Sequence, residues 1–298
     1  MTDRRRFRPL PTAVACLIAF IIPMTGCAVA PRHAVLKSPD RRIPVETIIA
    51  GRTGEPVTFQ ELLSDLETVP IVYIGEEHPN RAHHEIQVKL IEALDQRLSN
   101  LTVGMEMFDY RYDLVLDQWS GGELDRDAFI RQTHWYANWR WDYDLYAGVL
   151  DLIRERNIRL VGLNLPFHIP GRIRIGGIEA LLEDDRRYLP QAVDLNRKAH
   201  REYVEAVFRR HPPMNSENDF ERFYQAQCVW EDTMAESVAG KRGNGPMVVI
   251  AGNGHIIKKF GIPDRAYERS GTPFRTIYLA KAGQVIELDY GDYLWVTP

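Results

Sequence analysis

Four short runs of β-branched and apolar residues constrain this chain most: Val69–Ile74 (VPIVYI), Leu101–Met105 (LTVGM), Ile158–Leu163 (IRLVGL) and Met247–Ala251 (MVVIA). Each is nearly continuous in apolar character, the signature of a strand covered on both faces. Amphipathic stretches separate them. Within Asn80–Leu98, Ile86, Leu90, Leu94 and Leu98 recur four apart and form one helical stripe, and Leu145–Arg156 repeats the pattern before the third run. Alternation of this kind predicts α/β architecture: a mostly parallel central sheet wrapped by helices. With 298 residues and 45 % hydrophobic content, the chain can bury such a core. Between the third and fourth runs, residues 165–245 read as a helical insertion placed before the last parallel strand. Two helices are expected in it, Ala192–Arg209 and one carrying Phe220, Phe223, Gln227, Trp230, Met234 and Val238 on one face. Thr276–Leu279 and Val285–Leu288, joined by Lys-Ala-Gly-Gln, predict a C-terminal hairpin.

The residues at the end of each run carry the chemistry. Gly75-Glu76-Glu77-His78 comes after the first and Gly104-Met105-Glu106-Met107-Phe108 closes the second; Asn164-Leu165-Pro166 and Gly252-Asn253-Gly254-His255 come after the third and fourth. In a parallel sheet these loops share the carboxyl edge, where α/β proteins form ligand sites. Imidazole with carboxylate suits a divalent metal, so His78, Glu106 and His255 are candidate metal ligands. Glu76, His78, Glu106 and His255 are equally a candidate catalytic set, with a glutamate as general base. A glutamate ending an apolar strand also needs a partner for purely structural reasons. His83 and His84, in the first turns of the next helix, read as packed or exposed side chains or as support for the rim. Val88 stands where a His-Glu-x-x-His motif would need its second histidine.

The segment His134–Tyr146 (HWYANWRWDYDLY) holds three Trp and three Tyr. It reads either as core or as the wall of a pocket for a flat apolar ligand, with His134, Tyr136 or Tyr143 as candidate axial ligands. Gln227 interrupts an apolar helical stripe and is expected to face the same pocket, since a buried amide must be satisfied. Phosphate-cradling loops, a Gly-x-Ser-x-Gly elbow and Cys-x-x-Cys pairs are absent from the sequence.

The N-terminus reads as an export leader. Arg4, Arg5, Arg6 and Arg8 precede the apolar stretch Pro11 to Met24, which is short for a membrane span. Met24-Thr25-Gly26-Cys27 resembles a bacterial lipobox, which makes residues 1–26 a lipoprotein signal peptide and Cys27 the lipidated residue. Ala28 in the next position resembles the outer-membrane sorting pattern, so the expected location is the outer membrane, facing the periplasm. Residues 27–45, rich in Pro and Arg, read as a tether, and 46–298 as the folded domain. Removing the leader discards Cys16 and leaves only Cys27 and Cys228, which excludes a disulfide framework. Without the leader's four Arg and one Asp, 33 basic residues face 40 acidic ones. No basic stripe or zinc-knuckle spacing is present, so nucleic acid is not an expected partner.

Several of these motifs together resemble the ChaN-type haem-binding uptake lipoproteins of the TIKI superfamily. They are Gly75-Glu76-x-His78 with His83-His84 behind it, Gly104-Met105-Glu106-Met107-Phe108, Leu163-Asn164-Leu165-Pro166, Ala226-Gln227-x-x-Trp230 with Met234-Ala235, Ala251-Gly252-Asn253-Gly254-His255 and Asp292-Tyr293-Leu294-Trp295. Glu231 stands where the family pattern has Asp. The resemblance spans residues 46–298 and implies a parallel sheet wrapped by helices, a lipid anchor, haem as the ligand, and a homodimer holding two haems face to face. The superfamily's paired Gly-x-x-His motifs and glutamate map onto Gly75/His78, Gly252/His255 and Glu106. Expected function is therefore haem or iron uptake by a lipid-anchored haem-binding protein. A metal-dependent hydrolase using the rim is the alternative, and an envelope scaffold a third reading.

Overall fold

The computed structural model describes residues 32–38, 40–210 and 217–298. The expected leader 1–26 and Cys27 lie outside the described residues. Eleven strands occur among them: β1 His33–Leu36, β2 Arg41–Pro44, β3 Ile48–Ala50, β4 Pro56–Val57, β5 Ile71–Glu76, β6 Thr102–Asp109, β7 Arg159–Asn164, β8 Met247–Gly252, β9 Phe274–Lys281, β10 Val285–Ile286 and β11 Tyr293–Thr297. Eight build the central sheet in the order β4-β3-β11-β9-β5-β8-β6-β7. From β11 to β7 every neighbour is parallel, while β3 and β4 add an antiparallel edge.

The four apolar runs of the sequence are β5, β6, β7 and β8, all parallel. Their continuous apolar character has a direct cause. Val72 and Ile74 of β5 pack on one face with the helices Arg81–Asp95 and Tyr143–Glu155, whereas Ile71 and Tyr73 pack on the other with Met234, Val238, Ile262 and Ala266. Alternate side chains thus enter two separate cores, and neither face meets water. The helix Arg81–Asp95 starts where Asn80 accepts the Ala82 N–H, and its Leu90, Ile91 and Leu94 are fully buried. Residues 165–245 hold the helices His168–Gly176, Lys198–Phe208 and Glu217–Lys241 with shorter turns between them.

Three expectations change. First, the C-terminal runs form no hairpin. β9 is buried on both faces from Thr276 to Ala280 and takes a place between β5 and β11, parallel to each. β10 instead pairs in parallel with β1 in a separate three-stranded sheet, β10-β1-β2. The intervening turn gives its backbone groups to other strands: Ala282 N–H bonds the Thr297 carbonyl and Gly283 N–H, at φ +90°, the His33 carbonyl. Second, β8 is not the last parallel strand, because β9 and β11 come after it in the same sheet. Third, the stretch read as a tether is folded from His33 onward. Ala34, Leu36 and Ile43 are buried against Tyr278, Ala280, Leu294 and Val296 of the central sheet. No helix among the described residues is long and apolar enough to cross a membrane.

Candidate functional site

The carboxyl ends of β5, β6 and β8 are adjacent in the sheet, and the loops after β5 and β8 meet the end of β6. Their chemistry-bearing residues converge on Glu106, which is buried at the point where β6 loses register between Met105 and Asp109. Glu106 Oε2 accepts the Gly252 N–H at 2.7 Å, and its Oε1 lies 3.5 Å from His255 Nε2. Burial alone would raise this carboxyl. The His255 charge, then His78 and the Gly252 amide outweigh burial and hold it at about 2.

Each histidine is held from behind by another buried carboxylate. His78 Nδ1 lies 2.8 Å from Glu76 Oε1, and Glu76 also accepts from Tyr146 Oη at 2.7 Å and from Gln87 Nε2 at 2.8 Å. His84 Nε2 reaches the His78 carbonyl at 2.9 Å, and Trp139 packs edge-on against the His78 ring at 4.8 Å. On the other side, His255 Nδ1 lies 3.2 Å from Glu231 Oε1, which accepts from Gln227 Nε2 at 2.7 Å. Behind Glu231 stand His200 Nε2 at 3.0 Å, off the line of a hydrogen bond, and Arg265 Nε at 3.5 Å. Arg265 is itself buried and paired with Asp232. Burial disfavours both imidazolium ions, but Glu106 and Glu231 raise His255 to about 10, and Glu76 and Glu106 raise His78. The result is two imidazoles whose protonated forms are favoured, each backed by a carboxylate, on either side of Glu106.

This geometry explains the paired Gly-x-x-His motifs. A Cβ on Gly75 would fall 2.0 Å from Asn253 Oδ1 and 2.7 Å from Ile256 Cδ1. One on Gly252 would fall 3.0 Å from His78 Cε1 and 3.5 Å from Glu106 Oε2. Each glycine thus lets the other loop's side chain close over it.

His78, His255, Gln227, Tyr203 and Phe223 line a cavity of about 310 Å³ beside this cluster. A second groove of about 460 Å³ lies across Phe223 and Gln227, which line both. Its walls include Tyr136, Arg140, Phe167, Arg174 and Trp230. Gln227 lies in the lining of both cavities, and Tyr136, 59 % exposed, lines the groove. His134 is exposed and bonds Tyr112 Oη at 3.2 Å, outside the groove lining. Tyr143 is buried in the core against Phe129 and Trp135, which removes it as a ligand candidate. The aromatic segment thus divides: Trp135, Trp139, Tyr143 and Tyr146 are core, and Tyr136 is pocket.

His78, Glu106 and His255 do come together, with His255 paired to Glu106 and His78 to Glu76. Among the described residues no group of three or more His, Cys, Asp or Glu is arranged to hold a metal. Four contributors are not evident in the sequence: Tyr146, Gln87, His200 and Arg265. Only Gln87 carries a signal, as a polar residue one position beyond the apolar stripe of its helix. Cys228 is buried beside Arg265, and burial pushes its thiol up to about 12.

The model of one family, haem-binding uptake, Tiki superfamily, ChaN, matches residues 62–266. The chain belongs to that family. Among solved structures, ChaN of Campylobacter jejuni, described with cofacial haem binding, is similar at a TM-score of 0.70 and 19 % identity, covering 83 % of this chain and 95 % of that one. That likeness shows the shared fold. An erythromycin esterase mutant in its open conformation is similar at a TM-score of 0.47 and 15 % identity, covering 79 % and 77 %. No curated protein matches the chain.

Proposed function

We propose that this ChaN-family chain binds haem in the groove walled by Phe167, Phe223 and Trp230, as a lipid-anchored component of haem or iron uptake facing the periplasm. The groove carries the reading. Its aromatic walls suit a flat macrocycle, Arg140 and Arg174 at its border suit carboxylate side groups, and Tyr136 supplies an accessible phenol for the iron. Haem bound there would supply an iron centre with its own redox chemistry, while the chain supplies walls, charge and one oxygen ligand. A homodimer with the grooves of two copies facing is consistent with the exposed Tyr136 in the groove lining. Lipidation at Cys27 gives the location. Titration of the mature chain with hemin tests the proposal. A saturable Soret shift at one haem per chain, weakened by Tyr136→Phe, is expected; an unshifted, unsaturable spectrum refutes it.

One observation favours a second use of the rim. His78 and His255 are both steadied through Nδ1 by carboxylates and both line the smaller cavity, an arrangement suited to proton transfer to and from an ester or amide. Small esters hydrolysed by the wild type and spared by His78→Ala support this use; equal hydrolysis by both removes it.

A further inference from the structure

The fold shortens the leash between the lipid and the domain. Residues 27–45 read as a tether from composition, yet β1 begins at His33 and packs through Ala34 and Leu36 on the central sheet. Five residues carry the chain from Cys27 to Arg32, a reach of at most about 18 Å. If Cys27 carries the lipid, the reading on which this inference rests, Arg32 at the entry to β1 is held within about that distance of the lipid-bearing residue.

The outer face of the three-stranded sheet has a composition suited to a bilayer surface. Val285, Val35 and Arg42 lie in register across β10, β1 and β2, and His33 is opposite Pro44. Ala34, Leu36, Ile43 and Ile286 point inward, so Val35, His33, Arg42 and Val285 point outward. Val285 is 59 % exposed on a β-strand, Arg42 is exposed, and Arg32 is exposed just before β1. Residues 32–45 hold four cations (Arg32, Lys37, Arg41, Arg42) and one acid, Asp40, whereas the chain after the leader is acidic overall. Lys37 is engaged by Glu287 and Arg41 by the Gly54 carbonyl, which leaves Arg32 and Arg42 as the outward cations of this face.

We propose that this face, centred on Val35, Arg42 and Val285, is a membrane-docking surface for anionic phospholipid headgroups. The two valines rest at the headgroup boundary and Arg32 and Arg42 meet phosphates. The lipid and the sheet together form two attachment points, which fix the orientation of the domain rather than leave it free on its leash.

Two measurements test this. The chain with Cys27→Ser, lacking lipid, is titrated with phosphatidylglycerol vesicles and with phosphatidylcholine vesicles. Binding to the first only is expected, weakened about fivefold by Arg42→Gln and about 25-fold by Arg32→Gln with Arg42→Gln. In parallel, the lipidated chain in phosphatidylglycerol vesicles carries a fluorophore at position 285 or at position 99, the latter on the loop before β6, which lies next to the far edge strand β7. A headgroup quencher is expected to dim position 285 and spare position 99. No vesicle binding by the Cys27→Ser chain, or equal quenching at both positions, overturns the proposal. Mass spectrometry of the N-terminal peptide reports lipidation separately, so loss of the anchor reading is distinguished from loss of the docking face.

Discussion

Replacing Glu231 by Gln removes the charge that backs His255 while keeping the shape of the side chain. Burial disfavours the His255 imidazolium, and Glu106 and then Glu231 raise it from its ordinary 6.5 to about 10. Without the Glu231 charge, His255, His200 and Arg265 each lose a charged neighbour, although Arg265 keeps Asp232. Removing one partner of a buried ion pair costs about 3 kcal/mol at the low end. At about 2 °C per kcal/mol for a domain of this size, Tm falls by about 6 °C.

The sign of the pH dependence is set by the direction of each shift. His255 is raised, so its contribution is complete below 6.5 and is lost as pH climbs through about 10. Glu231 and Glu106 are lowered, so theirs is complete above 4.5 and is lost only as pH falls through their depressed values. The gap between wild type and Glu231→Gln is therefore widest from about pH 4.5 to 6.5 and closes towards pH 10. Thermal unfolding across that range, with the His255 ring protons tracked by NMR, measures both effects. Glu231→Asp keeps the charge and should recover most of the stability. A Tm within 1–2 °C of wild type at about pH 5.5, with an unmoved His255 titration, would refute the argument that Glu231 holds this imidazole.

The same geometry yields other expected outcomes. Gly252→Ala places a methyl against His78 and Glu106 and should cost about 1–3 kcal/mol in denaturant unfolding; a neutral change would show that the loops yield freely. Tyr146→Phe removes a charge-assisted hydrogen bond to Glu76 and should lower stability by about 1.5–3 kcal/mol, read from the urea midpoint at constant m-value. Arg140→Glu, at the groove border, should weaken hemin binding without changing Tm, whereas Tyr143→Phe, in the core, should leave the Soret band unchanged.

Periodicity makes the parallel core legible, because strands buried on both faces need apolar residues at every position. The same logic misplaces Thr276–Leu279. That run is as apolar as the others, yet it pairs with β5 and β11, and the backbone N–H groups of Ala282 and Gly283 go to Thr297 and His33, which leaves β10 to pair elsewhere. Of the site, the Gly-x-x-His pair and Glu106 are visible because they sit at strand ends. Tyr146, His200 and Arg265 are hidden, since each reaches its partner across the core from a helix whose own pattern gives no sign of it. Gln227 shows itself only as a polar break in a stripe, and the cavities on its two sides explain the break.

The strand order also bears on assembly of the chain during synthesis. β8 occupies the slot between β5 and β6, and Ile71 pairs with Met247. The first half of the chain therefore emerges with β5 and β6 apart and an edge of each unpaired. Glu106 stands at that open slot until Gly252 and His255 arrive to pair with it, and the earlier strands must wait, open, for a distant segment to insert. Such non-local closure is slow. Truncation or arrest before residue 247 leaves a sticky gap in the middle of the sheet, which makes insertion of this strand the step most exposed to misfolding and to proteases.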